Sequence, residues 1–313
     1  MNNNHSRIDN LIEKFIDKYG TEEYYMKGLK DRFISWLDNT DKEEIKNILI
    51  ELFSSFYFYT KNEIKEILYK QLTGILDNVD INYTSIVPLT KKKGSSSSFD
   101  AIGLLTELVR EHDIQIYKET ILMDISYVED HIDTIVFFDD ISGTGGTVQS
   151  FLKERYEYLK GRKIIINLIC ITSSAKQSIE KYLRETDLNV ELIVEHEYDK
   201  AFSNHENLSK PHKEIICKFE TDIWGTKHNN ILGYKSSELL IGFSHNIPNN
   251  TISSFWYDPV FQGKMQNWNT LFKRFTRPTR TARTGLNSKK QRKRQNLTFK
   301  SSSFKGGKKV VDR

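Results

Sequence analysis

Two carboxylates stand directly before a run of glycines and hydroxyls in Asp139-Asp140-Ile141-Ser142-Gly143-Thr144-Gly145-Gly146-Thr147. Four apolar residues, Ile135 to Phe138, precede them and read as a buried parallel strand, whose two faces must both be apolar. Val148, Phe151, Leu152, Tyr156 and Leu159 follow with helical spacing. A helix start offers free N–H groups and the positive end of a dipole, so strand, acidic pair, glycine turn and helix together make an anion site. Gly143, Gly145 and Gly146 let the backbone curl around a phosphate, and Ser142, Thr144 and Thr147 add hydroxyl donors. Ionised Asp139 and Asp140 accept hydrogen bonds from vicinal hydroxyls, so a ribose carrying a 5-phosphate suits both halves. At a strand end both carboxylates are expected to reach solvent. No Gly-Lys-Ser/Thr follows and G-x-G-x-x-G is absent, so neither a Walker loop nor a dinucleotide fingerprint is present.

The elements that must hold this stretch follow from patterning. Residues 5–77 read as four amphipathic helices, with capping boxes expected at Thr40/Glu43 and Thr60/Glu63. From Asn82 strands and helices alternate. Strands are expected at Ser85 to Pro88, weakly at Ile114 to Tyr117 and at Ile121 to Val128, then at Asp133 to Asp140, Lys163 to Cys170 and Val190 to Val194. This order implies an α/β fold with a doubly wound, mostly parallel sheet. His196 to Glu206 reads as a polar stretch, either a solvated loop or a hood that recognises a base, and Pro211 opens a further helix. Ligands bind such sheets at the carboxyl ends of their strands. The loop Lys91-Lys92-Lys93-Gly94-Ser95-Ser96-Ser97-Ser98 lies after the first of these, and its charge and hydroxyls suit a pyrophosphate as well as a solvated linker. Further on, an apolar strand ends in His245-Asn246-Ile247-Pro248-Asn249-Asn250-Thr251, followed by Phe255-Trp256. Asn and Pro form turns. His245, Asn246, Asn249 and Asn250 also supply donors and acceptors that can read a base, with Phe255 and Trp256 to stack on it.

The stretch Ile135 to Thr147 resembles the PRPP-binding motif of type I phosphoribosyltransferases at each of its thirteen positions. The resemblance implies that Asp139 and Asp140 contact the ribose hydroxyls and that Ser142 to Thr147 hold the 5-phosphate. It also implies that Lys91, Lys92, Lys93 and Ser95 face pyrophosphate, with Mg²⁺ held by ligand oxygens and by no direct protein ligand. Together with the His-Asn-x-Pro-Asn-Asn-Thr stretch and the N-terminal helices, it looks like the phosphoribosyltransferase-like proteins of bacterial conflict and phage-defence systems. On that reading the chain is a PRPP-dependent phosphoribosyltransferase (a glycosyltransferase) of unknown acceptor, with a defence-system protein as partner. The alternatives are a non-catalytic PRPP or nucleotide sensor and a nucleic-acid-binding protein. Many relatives carry a mobile lid between the second and third core strands. Here Ile116 to Asp133 must contain it, and its only basic side chains are Lys118 and His131.

Composition sets the remaining bounds. The 313 residues carry a net charge of +4, yet residues 273–313 hold 15 of the 46 Lys/Arg and one of the 42 acids. That segment reads as a disordered basic tail able to contact nucleic acid or another polyanion. The rest divides at the sequence level into a helical cap, 5–80, and a phosphoribosyltransferase-like domain with a C-terminal extension, 81–262. Two isolated cysteines, no signal peptide and no apolar run long enough to span a bilayer lead to the expectation of a cytoplasmic protein away from membranes.

Overall fold

Apolar spacing decides the helices, and one stretch of β-formers interrupts them. The computed structural model describes residues 2–90, 98–203, 206–225, 228–258 and 268–275. α1 (Asn2–Tyr19), α2 (Leu29–Leu37), α3 (Glu43–Ser54) and α4 (Lys61–Leu76) match the four stripes. Thr60 caps α4 by accepting the Glu63 N–H at 3.2 Å. The box expected at Thr40 does not form: α3 starts after Lys42, and the Thr40 hydroxyl accepts the Lys42 N–H instead. Between α3 and α4 lies a short strand, β1 (Tyr57–Tyr59), built from aromatic residues that favour a pleated surface.

The main sheet is parallel and four-stranded, with order β2 (Thr84–Pro88), β3 (Thr134–Ser142), β4 (Lys163–Thr172) and β5 (Asn189–Tyr198). Its helices are α5 (Ser98–Glu111), α6 (Gly146–Glu154), α7 (Tyr156–Leu159) and α8 (Ser173–Glu185). Residues of β3 alternate between the two faces. Val136 and Phe138 join the core under α4 and α5. Ile135 and Phe137 join the core under α6 and α8. Helices thus cover both faces, as a doubly wound sheet requires.

No strand forms at Ile114 to Tyr117, and 121–128 contributes one parallel bridge, Ile121 to Ile86. That bridge is nevertheless informative. The chain leaves β2, passes along its outer edge at Ile121, and returns on the other side as β3. The direction of winding therefore reverses between β2 and β3, and a ligand crevice belongs at their carboxyl ends. Residues 116–133, within which any lid must fall, carry two short 3₁₀ turns, Lys118–Thr120 and Ile125–Tyr127, with Ile125 and Ile132 buried against the sheet.

β5 runs to Tyr198, so His196 and Tyr198 are strand residues and not loop. After it come α9 (Lys210–Trp224), with Pro211 in its first turn and a Ser209/His212 capping box, and β6 (Ile241–Phe243). β6 pairs in parallel with β1 as a separate two-stranded sheet. α1 to α3 share one core with the C-terminal extension: Phe15, Phe33, Trp36 and Phe53 pack with Trp224, Phe255, Leu271 and Phe272. Within it the Trp36 indole donates to Ser254 O at 2.7 Å and the Trp224 indole to the Ser253 hydroxyl at 2.8 Å. No helix among the described residues is long and apolar enough to cross a membrane.

Glu220, fully buried on α9, ties this extension together. Its carboxylate accepts the Leu232 N–H at 2.5 Å, the Ser254 N–H at 2.7 Å and the Ser254 hydroxyl at 2.6 Å. Burial raises its pKa, and these donors oppose the shift. Each buried donor left without a partner costs on the order of 1–3 kcal/mol. Glu220→Ala is therefore expected to lower stability by about 3 kcal/mol or more, read as a shift of the urea midpoint; an unchanged midpoint would show that the carboxylate does not hold the extension.

Candidate active site

β3 does not stop at the acidic pair. Its pairing with β4 continues through Asp139 to Leu168, Ile141 to Cys170 and Ser142 to Ile171. Asp139 and Asp140 consequently lie inside the strand and are 6% and 4% exposed. The expectation that a strand end leaves both open to solvent is corrected on this point. Asp139 accepts the N–H of Asp140 at 3.0 Å. Asp140 follows Val136 and Phe138 in the alternation and so faces the side where β1 and β6 pack. Beneath the pair, burial pushes the Cys170 thiol well up, and the charges of Asp140 and Asp139 push it further.

The loop after β3 is fastened from two sides. The Thr172 hydroxyl, which caps α8 by accepting the Ala175 N–H, also donates to Gly143 O at 2.9 Å. Gly145 has φ +73° at the start of α6, and a side chain there would press on Ala175 O and Ile179. Glycine is required by both conformation and space. No side chain caps the first turn of α6, which leaves its N–H groups for an anion. Ser142 is buried, Thr144 and Thr147 are half-buried, and Gly146 is exposed.

The turn at 245–250 arrives on this same end of β3, joining two stretches more than one hundred residues apart. His245 Nε2 lies 3.0 Å from Asp140 Oδ2. The Asn250 amide packs on Gly143 so closely that a Cβ at 143 would sit 2.0 Å from its nitrogen. Its backbone carbonyl is engaged elsewhere, accepting from the Ser237 hydroxyl and the Leu239 N–H. Asn249 accepts the Tyr234 N–H through its backbone carbonyl.

Asn246 has a structural task. Its amide donates to Phe275 O and its carbonyl accepts the N–H groups of Ile247 and Phe275, each at 2.9 Å. Phe255 is fully buried against Phe56 and Trp36, and Trp256 is buried under the Arg274 guanidinium at 5.1 Å. Neither ring is open to stack on a base, because the core of α1 to α3 has claimed that face. The Ser98 hydroxyl donates to Leu89 O at 3.0 Å inside the fold, which removes it from the pyrophosphate loop. Lys91, Lys92, Lys93 and Ser95 lie outside the described residues.

Three further side chains neighbour the site, of which Tyr59 and Arg274 escaped the sequence pattern. Tyr59 of β1 stacks on Phe243 at 4.8 Å, and its hydroxyl lies 2.9 Å from His196 Nδ1 and 2.8 Å from the Tyr198 hydroxyl. Burial raises the pKa of both tyrosines, so both stay neutral. The third is Arg274. It falls in the segment that composition marks as tail, yet residues 268–275 are packed into the core. It donates to Ile247 O at 2.9 Å, two residues beyond His245. Burial lowers its pKa, and the charge of Asp140 is the leading effect that opposes this.

Overpacking a tight site costs about 1–3 kcal/mol. Gly143→Ala is expected to lower the melting temperature by displacing the Asn250 amide, and Asn250→Ala in the same chain to recover most of the loss. Equal losses with and without Asn250 would show that the loop and the turn do not meet.

The family model PRTase-CE matches residues 33–274. No curated protein matches the chain. Among solved structures it is similar to the xanthine-guanine-hypoxanthine phosphoribosyltransferase of Helicobacter pylori, at 12% identity and a TM-score of 0.30 over 46% of this chain and 89% of that one. The matched span takes in β3, the glycine loop, the 245–250 turn and the packed segment through Arg274, and the chain belongs to the PRTase-CE family.

Proposed function

We propose that this chain binds PRPP and transfers its phosphoribosyl group to an acceptor. The observation that carries the reading is the acidic pair at the carboxyl end of β3, beside the switch in winding, followed directly by an uncapped glycine turn opening α6. Asp139 and Asp140 take the ribose hydroxyls. Ser142 to Thr147 and the first turn of α6 take the 5-phosphate, with the Asn250 amide at the rim. His245 orients Asp140 from the other side. Charge that develops on the sugar as pyrophosphate leaves is stabilised by the carboxylates.

Mg²⁺ fits this donor set only as a companion of the ligand. Adjacent carboxylates are hard oxygen donors, but no group of three or more His, Cys, Asp or Glu among the described residues is arranged to hold a metal. Phosphate and ribose oxygens would complete its shell, and the ion would neutralise charge on the leaving pyrophosphate.

One observation favours a second reading, a non-catalytic PRPP sensor. The segment 116–133 has Lys118 and His131 as its only basic side chains, and Ile125 and Ile132 pack part of it on the sheet, so it is poorly equipped as a charged lid. Contact with nucleic acid through residues 276–313 remains a proposal outside the described residues.

Titration of PRPP with Mg²⁺ into the folded chain is expected to give saturable heat. Asp139→Asn with Asp140→Asn preserves volume inside β3 and is expected to weaken binding at least tenfold, since a charge-assisted hydrogen bond is worth on the order of 1.5–3 kcal/mol. Parent-like affinity in the double variant would refute the ribose assignment. The conflict role implied by the sequence resemblance belongs to the same proposal. Cells carrying the parent chain are expected to lose PRPP during phage infection while cells with the double variant do not; level pools in both would leave the sensor reading.

A further inference from the structure

The segment 268–275 is fastened on both sides of Arg274. Leu271 and Phe272 are fully buried. Arg32 Nε donates to Leu271 O at 3.0 Å, the Phe272 N–H to Phe255 O at 2.9 Å, and the Tyr25 hydroxyl to Lys273 O at 2.9 Å. Beyond Arg274, the Asn246 side chain clasps both the N–H and the carbonyl of Phe275. The backbone at 274 therefore has little freedom, and its side chain runs inward over Trp256 to Ile247 O.

A guanidinium carries five N–H donors in a planar fork. Here one nitrogen meets Ile247 O, and no ion pair forms with Arg274 among the described residues. Holding a half-buried cation without a direct counter-ion costs stability. Stacking on Trp256 and the nearby charge of Asp140 offset part of that cost. Arginine in such a place, with donors to spare, suits planar recognition of phosphate or carboxylate oxygens. The segment that elsewhere would carry a lid, Ile116 to Asp133, has no arginine, and its basic side chains are Lys118 and His131, the latter exposed and beside Glu129.

We propose that Arg274 is an anion-recognition residue of this site, its guanidinium taking an anionic oxygen of the bound molecule from a strap fixed by the core. The oxygen belongs either to the pyrophosphate end of PRPP or to a negatively charged acceptor. This inference rests on the sugar-phosphate reading of the acidic pair and glycine loop.

The test titrates ribose 5-phosphate, inorganic pyrophosphate and PRPP, each with Mg²⁺, and orotate onto the PRPP-loaded protein, into the full chain and into Arg274→Gln and Arg274→Lys, with melting curves as the check on folding. Loss of one charge-assisted contact corresponds to about ten- to hundredfold in affinity. Arg274→Gln is expected to lose that much for PRPP and pyrophosphate, or else for orotate alone, while ribose 5-phosphate binds as to the parent. The first pattern places the oxygen on pyrophosphate and the second on the acceptor. Arg274→Lys, a point charge without the fork, is expected to recover only part. Unchanged affinity for all the probes overturns the proposal, and so does an equal loss for every probe including ribose 5-phosphate, which would mark a residue that only balances Asp140. If Arg274→Gln does not fold, Arg274→Lys decides: a loss of about tenfold confined to pyrophosphate and PRPP or to orotate upholds the proposal, and parent-like binding overturns it. A parent chain that binds none of the probes removes the sugar-phosphate reading itself.

Discussion

The contact between His245 and Asp140 joins two halves of the molecule that the chain keeps far apart. Asp140 belongs to the central parallel sheet, and His245 to a turn supported by the C-terminal extension. An ionised Asp140 requires the proton on His245 Nε2. The other ring nitrogen, Nδ1, is buried with no hydrogen-bond partner among the described residues. A buried polar atom left unpaired costs on the order of 1–3 kcal/mol. Nδ1 is one of several such atoms among the described residues, and this one lies against the acidic strand end.

Support for that contact extends a long way. The 245–250 turn follows β6, and β6 is held by β1, so the turn depends on a strand inserted between α3 and α4. Ser253 and Ser254, just beyond the turn, are gripped by Trp224, Trp36 and Glu220. The N-terminal helices are therefore structural to this end of β3. Their aromatic core sets the position of the turn, and the turn sets His245 and Asn250 against β3. Trp36, Trp224 and Phe255 are among the largest fully buried side chains of the chain. Burial of each is worth on the order of 1.5–3 kcal/mol, enough to hold a turn that carries an unpaired polar atom.

Much of this was legible in sequence where cause and effect are neighbours. Strand β3, the glycine loop and α6 occupy the 21 consecutive residues 134–154, and their apolar runs and turn formers act locally. The features missed are those decided at a distance. Tyr57-Phe58-Tyr59 has strand propensity, but its partner lies at Ile241 to Phe243, and the run is too short to stand out among helices. Phe255 and Trp256 resemble base-stacking rings until α1 to α3 bury them. Asp139 and Asp140 look exposed because the strand seems to end at the last large apolar residue, whereas β4 keeps pairing through Ser142. Arg274 was hidden by the arginines and lysines that follow it. Trp268, Leu271 and Phe272, an apolar cluster just upstream, were the available sign that ordered core continues past residue 268.

A cover made of fixed elements has a different energy balance from a lid. A lid is ordered only when ligand binds, so part of the binding energy goes into closing it, and the closed state then excludes water from the reacting sugar. In this fold the His245 turn and the 268–275 strap are already seated on the core, and the segment between Leu122 and Asp133 is packed on the sheet. Under the proposed PRPP reading, the ligand would meet these groups in place and spend nothing on ordering them, which would favour retention. Under that reading these elements would supply no closing step to couple arrival of the ligand to exclusion of water, and the task would pass to the acceptor. An acceptor that must itself complete the walls of the site would keep a bound sugar phosphate intact until it arrives. Such gating would need no moving part beyond the acceptor: under the proposed reading, one architecture would hold its ligand in the absence of a signal and react in its presence.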